Sequence, residues 1–210
     1  MAEKSKKSKI DLKKTALIIV DMQNDFCHEE GYSVKVLGDI SGTIAAIPKI
    51  KTLADKCRQS GIPVFNVYVS LLPDYSDTAF PMDKLPSGAA WPSMCVEGTF
   101  GVQIVDELKH QENDYMICKK SYGAFFHTLL DLILRNKGVK TLIMADVATN
   151  VCIETTAREA RDLGYNIIFS SDATGTFTEE MHKATLETIN MVFGEVMTTK
   201  EIVEMIKSTE

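Results

Sequence analysis

Histidine is scarce in this chain. Four stand among 210 residues, at positions 28, 110, 127 and 182, and no two lie within a few residues of each other. Helix-borne His-x-x-x-His metal binding is therefore absent, and His28 and His127 read as ordinary polar residues. No two of the 12 glycines are separated by a single residue, so the Gly-x-Gly-x-x-Gly turn of a dinucleotide fold cannot occur. The Gly-x-x-x-x-Gly-Lys phosphate loop is missing too. So is the Gly-x-Ser-x-Gly elbow, because Gly38-Asp-Ile-Ser-Gly42 sets its serine one place late. NTPase and serine-esterase chemistries fall with these motifs. The five cysteines (27, 57, 95, 118, 152) are odd in number and contain no Cys-x-x-Cys, so neither a disulfide framework nor a zinc finger is encoded. The longest apolar run, Ala16 to Val20, falls far short of the roughly 18 to 20 residues that span a bilayer. No apolar stretch follows the N-terminal lysines and the first arginine is Arg58, so neither a secretory nor a mitochondrial leader is expected; the cytoplasm is the default compartment.

What is present describes one globular domain: 45% apolar and 25% charged residues, enough chain to bury a real core. A net charge of −6 discourages attraction to nucleic-acid phosphates or anionic lipid, so no nucleic-acid or membrane partner is expected. The basic residues Lys4, Lys6, Lys7, Lys9, Lys13 and Lys14 mark residues 1–14 as a solvated N-terminal arm, followed by a single domain over 15–210.

Short β-branched apolar runs alternate with amphipathic stretches, the pattern of βαβ units around a parallel sheet. Strands are predicted at Thr15–Asp21, Pro63–Ser70, Tyr115–Cys118, Thr141–Ala145, Asn166–Ser170 and Glu195–Met197. Helices are predicted at Gly42–Ser60, Val102–His110, Thr128–Asn136, Val151–Leu163, Glu179–Asn190 and Thr199–Lys207. Thr198 with Glu201 fits a capping box, and Gly61, Gly138 and Gly164 stand where helices should stop. Leu71 to Gly98 breaks the rhythm with four of the six prolines and the only tryptophan; a lid or a subunit contact both fit it.

In open α/β sheets the site lies beyond the carboxyl ends of the strands, and three strand ends carry unusual residues. Asp21 follows Ala16-Leu-Ile-Ile-Val20, where partial desolvation suits a general acid/base and local amide capping is the plain alternative. Lys119 and Lys120 follow the third strand, able to supply fixed positive charge or simply to be solvated. Cys152 falls in the first turn of a helix capped by Asn150, where unpaired N–H groups and the helix dipole lower a thiol's pKa; a small core cysteine is the alternative. Downstream, Ile153, Ala157 and Ala160 form a buried stripe, with Glu154 and Arg158 paired on the outer face. A nucleophile, a proton shuttle and a charge stabiliser at one sheet edge form a set that acyl transfer requires.

Four ordered motifs now stand out: Ala16-Leu-Ile-Ile-Val-Asp-Met-Gln-Asn-Asp-Phe26, Gly98-Thr-Phe-Gly101, Lys119-Lys-Ser-Tyr-Gly-Ala-Phe125, and Val147-Ala-Thr-Asn-Val-Cys-Ile-Glu-Thr-Thr-Ala157 with Asp172-Ala173 after it. Across nearly the whole chain the sequence resembles the isochorismatase-like cysteine hydrolases, a family that includes N-carbamoylsarcosine amidase, ureidoacrylate and biuret amidohydrolases and nicotinamidases. The resemblance implies a three-layer α-β-α fold with a six-stranded parallel sheet in the order 3-2-1-4-5-6. It makes Cys152 the nucleophile, Asp21 the general acid/base and Lys119, not Lys120, the charge that keeps the thiolate available. It also implies a cis peptide at Val147–Ala148 and an oxyanion hole formed by the Ala148 and Cys152 amides.

The reaction so implied is cleavage of a C–N bond in a small amide or ureido substrate through a thioester, releasing ammonia or an amine, with no cofactor. A homo-oligomer, tetramer or dimer, is implied as well. Residues 64 to 109 contain no histidine, unlike metal-binding nicotinamidases, so no metal is expected. True isochorismatases, which cleave a vinyl ether, lack the nucleophilic cysteine, so Cys152 points toward C–N hydrolysis; vinyl-ether hydrolysis is the alternative reaction, and a silent thiol-sensing or binding relative the non-enzymatic one. Phe26 and Trp91 are candidate apolar substrate contacts. Asp146 stands where the family commonly shows glycine, and it either alters the charge preference of the site or faces away.

Overall fold

The computed structural model describes residues 10–79 and 94–209. Six parallel strands form one sheet in the order β3-β2-β1-β4-β5-β6: β1 Thr15–Val20, β2 Val64–Val69, β3 Tyr115–Lys119, β4 Thr141–Val147, β5 Asn166–Gly175 and β6 Glu195–Met197. β1 is the central strand, pairing Leu17 with Val64 on one side and with Ile143 on the other. Every residue of β1 is buried, because helices cover both faces.

The period-2 alternation of the strands sorts their side chains into two cores. Leu17, Ile19, Ile143, Ala145 and Val147 meet α3 (Ser41–Gln59) and α7 (Thr199–Lys207) through Ile50, Leu53, Ile202 and Ile206. Ala16, Ile18, Val20, Leu142 and Met144 meet α4 (Leu130–Asn136) and α5 (Glu154–Asp162) through Leu130, Leu134, Ala157 and Ala160. Each fully buried aliphatic side chain of this kind contributes about 1.5–3 kcal/mol before entropy. α6 (Glu179–Thr188) is capped by Thr178, whose hydroxyl accepts the Met181 amide, and α7 carries the full Thr198–Glu201 capping box. Gly61, Gly138 and Gly164 follow α3, α4 and α5 at φ of 70°, 71° and 91°, the left-handed turn that ends a helix.

Several predicted elements come out differently. Val102–His110 is not a helix but a chain segment bound to the loop after β1: Val105 N–H donates to the Met22 carbonyl, Ile104 bridges Gln23, and only Asp106–Leu108 forms a 3-10 turn. Its apolar Val105 and Leu108 fill the core from this extended path. Two short helices unmarked by periodicity, α1 (Asn24–Cys27) and α2 (Tyr32–Leu37), follow β1. β5 runs on past Ser170 to Gly175, its register against β4 shifting between Met144 and Asp146. Much of the 71–98 excursion lies outside the described residues; within them Leu71 bridges Val96 and packs with Val69 and Cys95. No helix among the described residues is long and apolar enough to cross a membrane.

Candidate active site

β1, β3 and β4 end at the same edge of the sheet, and their C-terminal residues converge there. Past Val20 the chain turns at Asp21 through a left-handed φ of 54°, a conformation few non-glycine residues adopt. The Asp21 side chain is wholly buried, and its Oδ2 lies 2.8 Å from Nζ of Lys119, the last residue of β3, which is wholly buried as well. Lys119 Nζ donates hydrogen bonds to the carbonyls of Ser121 (2.9 Å) and Tyr122 (3.0 Å). Its contact with Asp21 is a buried ion pair. Cys152 completes the group, half-buried, with its thiol within hydrogen-bonding reach of the Asp21 carboxyl.

Burial pushes the Asp21 carboxyl up, and the Lys119 ammonium and the Cys152 thiol offset only part of that rise. For Lys119 burial pulls the other way, yet Asp21, then Cys152 and Asp146, outweigh it and hold the ammonium above its ordinary range. Burial, followed by the Asp21 charge, pushes the Cys152 thiol well up; Lys119 opposes but does not win. That direction is opposite to the one expected of a thiol at a helix end.

The backbone explains part of that difference. Cys152 does not sit in the first turn of an α-helix but in a wider π-helical turn, Thr149–Ile153, that precedes α5. Asn150 is not an N-cap: it lies inside the turn, and its Oδ1 accepts from the Thr176 hydroxyl at 2.5 Å. The Val147–Ala148 peptide is cis, as the resemblance implied, and Ala148 immediately precedes the turn that holds Cys152. Thr149 is held by α6, its hydroxyl 2.9 Å from Nδ1 of His182. The buried stripe Ile153, Ala157, Ala160 and the Glu154–Arg158 pair stand as predicted.

Sequence reasoning singled out Asp21 in its motif and passed over the residues that hold it. Gln23 is fully buried; its Nε2 donates to the Val69 and Val102 carbonyls (2.8 and 2.7 Å) and its Oε1 accepts from the Val69 amide (2.8 Å), stapling the β1 loop to β2 and to the 98–105 segment. Asn24 donates to the Phe100 carbonyl, and Asp25 accepts the Cys95 amide at 2.6 Å. Gly101 leaves the room Asp25 needs, since a Cβ there would lie 2.0 Å from its carboxylate. Three polar side chains buried after a strand were the available signal, because buried amides and carboxylates must find partners. On the other side, Thr156 accepts the Ala124 amide (3.0 Å) and donates to the Cys152 carbonyl (2.7 Å), while Glu159 accepts the Phe125 amide (3.0 Å). These bonds tie the Lys119 loop to the Cys152 turn.

Lys120, beside Lys119, points elsewhere and pairs with Asp77 and the Ser70 carbonyl. Phe26 is half-buried and bridges the core beneath α3 to the small Val69–Leu71–Cys95 cluster. Trp91 lies outside the described residues. Asp146 does not face away: it is wholly buried and interacts with Asp21 and Lys119. Among the described residues no group of three or more His, Cys, Asp or Glu is placed to hold a metal ion.

The isochorismatase domain profile matches residues 15–201. An uncharacterized isochorismatase family protein, YwoC of Bacillus subtilis, is 37% identical over 198 residues, 94% of this chain and 97% of its own. The ureidoacrylate amidohydrolase RutB of Agrobacterium fabrum is 32% identical over 201 residues, 89% of this chain and 87% of its own. Among solved structures, a cysteine hydrolase from Pseudomonas syringae pv. phaseolicola superimposes with a TM-score of 0.86 at 29% identity, covering 100% of both chains. The chain, with its 3-2-1-4-5-6 sheet and these matches across nearly its whole length, belongs to the isochorismatase family of hydrolases.

Proposed function

We propose that this protein hydrolyses the C–N bond of a small amide or ureido compound by way of a thioester on Cys152. The observation that carries the reading is the fully buried Asp21–Lys119 pair, 2.8 Å apart, with the Cys152 thiol beside it. A protonated thiol needs a base within reach, and Asp21 is that base. As sulfur attacks the substrate carbonyl, the thiol proton passes to the Asp21 carboxylate, which Lys119 keeps ionised in the resting site despite its burial. The main-chain N–H groups of Ala148 and Cys152 are assigned to the developing oxyanion. Asp21 then returns the proton to the departing nitrogen, the C–N bond breaks, and ammonia or an amine leaves. Water attacks the thioester, gives its proton to Asp21 and releases the acid, with the thiol reformed on Cys152. A carboxyl pushed up by burial suits this double duty, since it gives and takes a proton more evenly than an exposed one. Phe26, and Trp91 from the 71–98 excursion, are assigned to the apolar wall of the substrate site, and the working unit to a homo-oligomer, dimer or tetramer. The relative named as a ureidoacrylate amidohydrolase and the structural neighbour named as a cysteine hydrolase support this reaction class.

Ammonia release should be measured over a panel of small amides and ureido compounds with wild type beside Cys152→Ala. Turnover by wild type and its loss by at least about a thousandfold in the variant is the expected outcome. Equal turnover in both would replace the thiol route with hydrolysis that needs no nucleophilic cysteine, as for a vinyl ether. Silence in both across the panel would favour a binding or thiol-sensing role.

A further inference from the structure

Asp146, near the end of β4, is wholly buried, and among the described residues no side chain is aligned to donate to its carboxyl, leaving only the neighbouring Val147 amide to favour its charged form by hydrogen bonding. It pairs in register with Val20 of β1 on one side and Thr174 of β5 on the other, so it stands one residue from Asp21 across the sheet and two from Ala148 along the chain. The titratable groups around it are Asp21 after β1, Lys119 at the end of β3, Cys152 in the π-helical turn and Cys27 on α1. Lys119 is the only buried cation among the described residues, and Asp21 already neutralises it. An ionised Asp146 would therefore be a second buried negative charge with no counter-ion of its own, which is costly unless it is paired.

We propose that Asp146 holds a proton in the working enzyme, and that loss of this proton at higher pH shuts the site by setting a second buried carboxylate beside the Asp21–Lys119 pair. Burial, reinforced by the Asp21 charge and only partly opposed by Lys119 and the Val147 amide, keeps the acid form in place. As a neutral acid, Asp146 leaves Lys119 to Asp21 alone. Once ionised, it competes for Lys119, resists formation of the Cys152 thiolate and opposes the oxyanion that would develop near Ala148. Asp146 is thus a positioning residue for charge, setting the alkaline limit of activity without touching substrate. This inference rests on the thioester reading for its kinetic part and, for its charge state, on burial and the lack of a counter-ion of its own.

The test is Asp146→Asn, which keeps the shape and removes the proton, with Asp146→Ala as a second variant should the first not fold. Infrared difference spectra of wild type minus variant at neutral pH should show a protonated carboxyl C=O band, in resting protein with no substrate, that bleaches as pH rises. Stability should diverge with the same sign. A carboxyl held above its unfolded value favours the fold at low pH, so wild type loses stability relative to the variant as pH climbs from about 4 through the bleaching point. The alkaline limb of activity, scaled to each protein's own maximum, should move up by at least one pH unit in the variant, about tenfold more relative activity beyond the wild-type limb. Absence of the protonated band overturns the proposal whatever the substrate. A band that bleaches while the alkaline limb stays put overturns the coupling to catalysis. If no amide is turned over at all, the infrared and stability results still decide the charge state, so failure of the thioester reading remains distinguishable.

Discussion

Lys119 and Lys120 are neighbours at the end of one strand, each paired with one aspartate, and they inhabit opposite physical regimes. The Lys119–Asp21 pair has side-chain exposures of 0% and 0%; the Lys120–Asp77 pair has 38% and 22%. In water an ion pair nearly cancels against the hydration it replaces. In the interior each charge has lost its water and depends wholly on the other, so the pair is weak evidence of stability as a unit and yet intolerant of losing one member. Two identical side chains one residue apart therefore separate tethering from chemistry. The outer lysine fastens the 71–79 segment to the strand end, reaching the Ser70 carbonyl and Asp77, whereas the inner one sets the charge state of a carboxyl.

The comparison is broken most severely by removing the inner cation. Lys119→Met should cost about 3–5 kcal/mol, because it leaves a buried Asp21 carboxylate uncompensated, and denaturant unfolding at neutral pH measures it. The loss should shrink as pH falls. Without Lys119, Asp21 rises still further above its ordinary value of 3.8, and a carboxyl with a raised folded pKa favours the fold where it is protonated. A loss that did not vary with pH would mean that the methionine fails by packing rather than by charge. In wild type the Lys119 contribution has the opposite placement. It is held above its ordinary 10.5, so what it adds is complete below that value and disappears only as pH rises through the folded one.

Which lysine goes inside was not legible from Lys119-Lys120 as a dipeptide; period 2 places one on each face of a strand end but not which face is buried. The resemblance singles out Lys119 through the motif Lys119-Lys-Ser-Tyr-Gly-Ala-Phe125, whose last two residues have a physical role in the structure. Ala124 and Phe125 are the amides caught by Thr156 and Glu159 of α5, so they fix the register of the loop and with it the depth of Lys119. The sheet was read well because β1 and β4 are continuous apolar runs buried on both faces, a pattern that needs no tertiary knowledge. The segment at 102–110 departs from the predicted helix because, although its apolar residues share a helical spacing, the hydrogen bonds that hold it extended come from Met22 and Gln23, some 80 residues earlier. The Cys152 turn was misread for a related reason: Asn150 has the side chain of a cap, but Thr176, on the neighbouring strand connection, claims its oxygen.

A smaller effect sharpens the comparison from the side of the loop. Thr156→Val keeps the shape of the side chain but strips the acceptor from the Ala124 amide and the donor from the Cys152 carbonyl. A buried N–H left without a partner costs about 1–3 kcal/mol. Because the same bonds set the distance from Lys119 to Cys152, turnover of an amide substrate should fall by about tenfold or more, in kcat rather than KM. A fall in stability without a fall in kcat would show that the loop holds its register by Glu159 alone.

The smallest effect is expected at the outer pair. Lys120→Ala should change stability by no more than about 1 kcal/mol, and added salt should erase even that, because mobile ions screen an exposed pair. Its pH dependence also runs opposite to that of Lys119. Burial pushes Asp77 up, but the Lys120 and Leu72 donors outweigh it and hold the carboxyl below 3.8. What the pair adds is therefore present above that value and lost as pH falls through the lower folded one. Thermal melts of wild type and Lys120→Ala at low and high salt, at pH 7 and below 4, separate the two regimes. If Lys120→Ala proved as costly as Lys119→Met, or its effect survived high salt, the contrast between a screened tether and a desolvated pair would collapse. The 71–79 segment would then be part of the site's electrostatics rather than a strap across its edge.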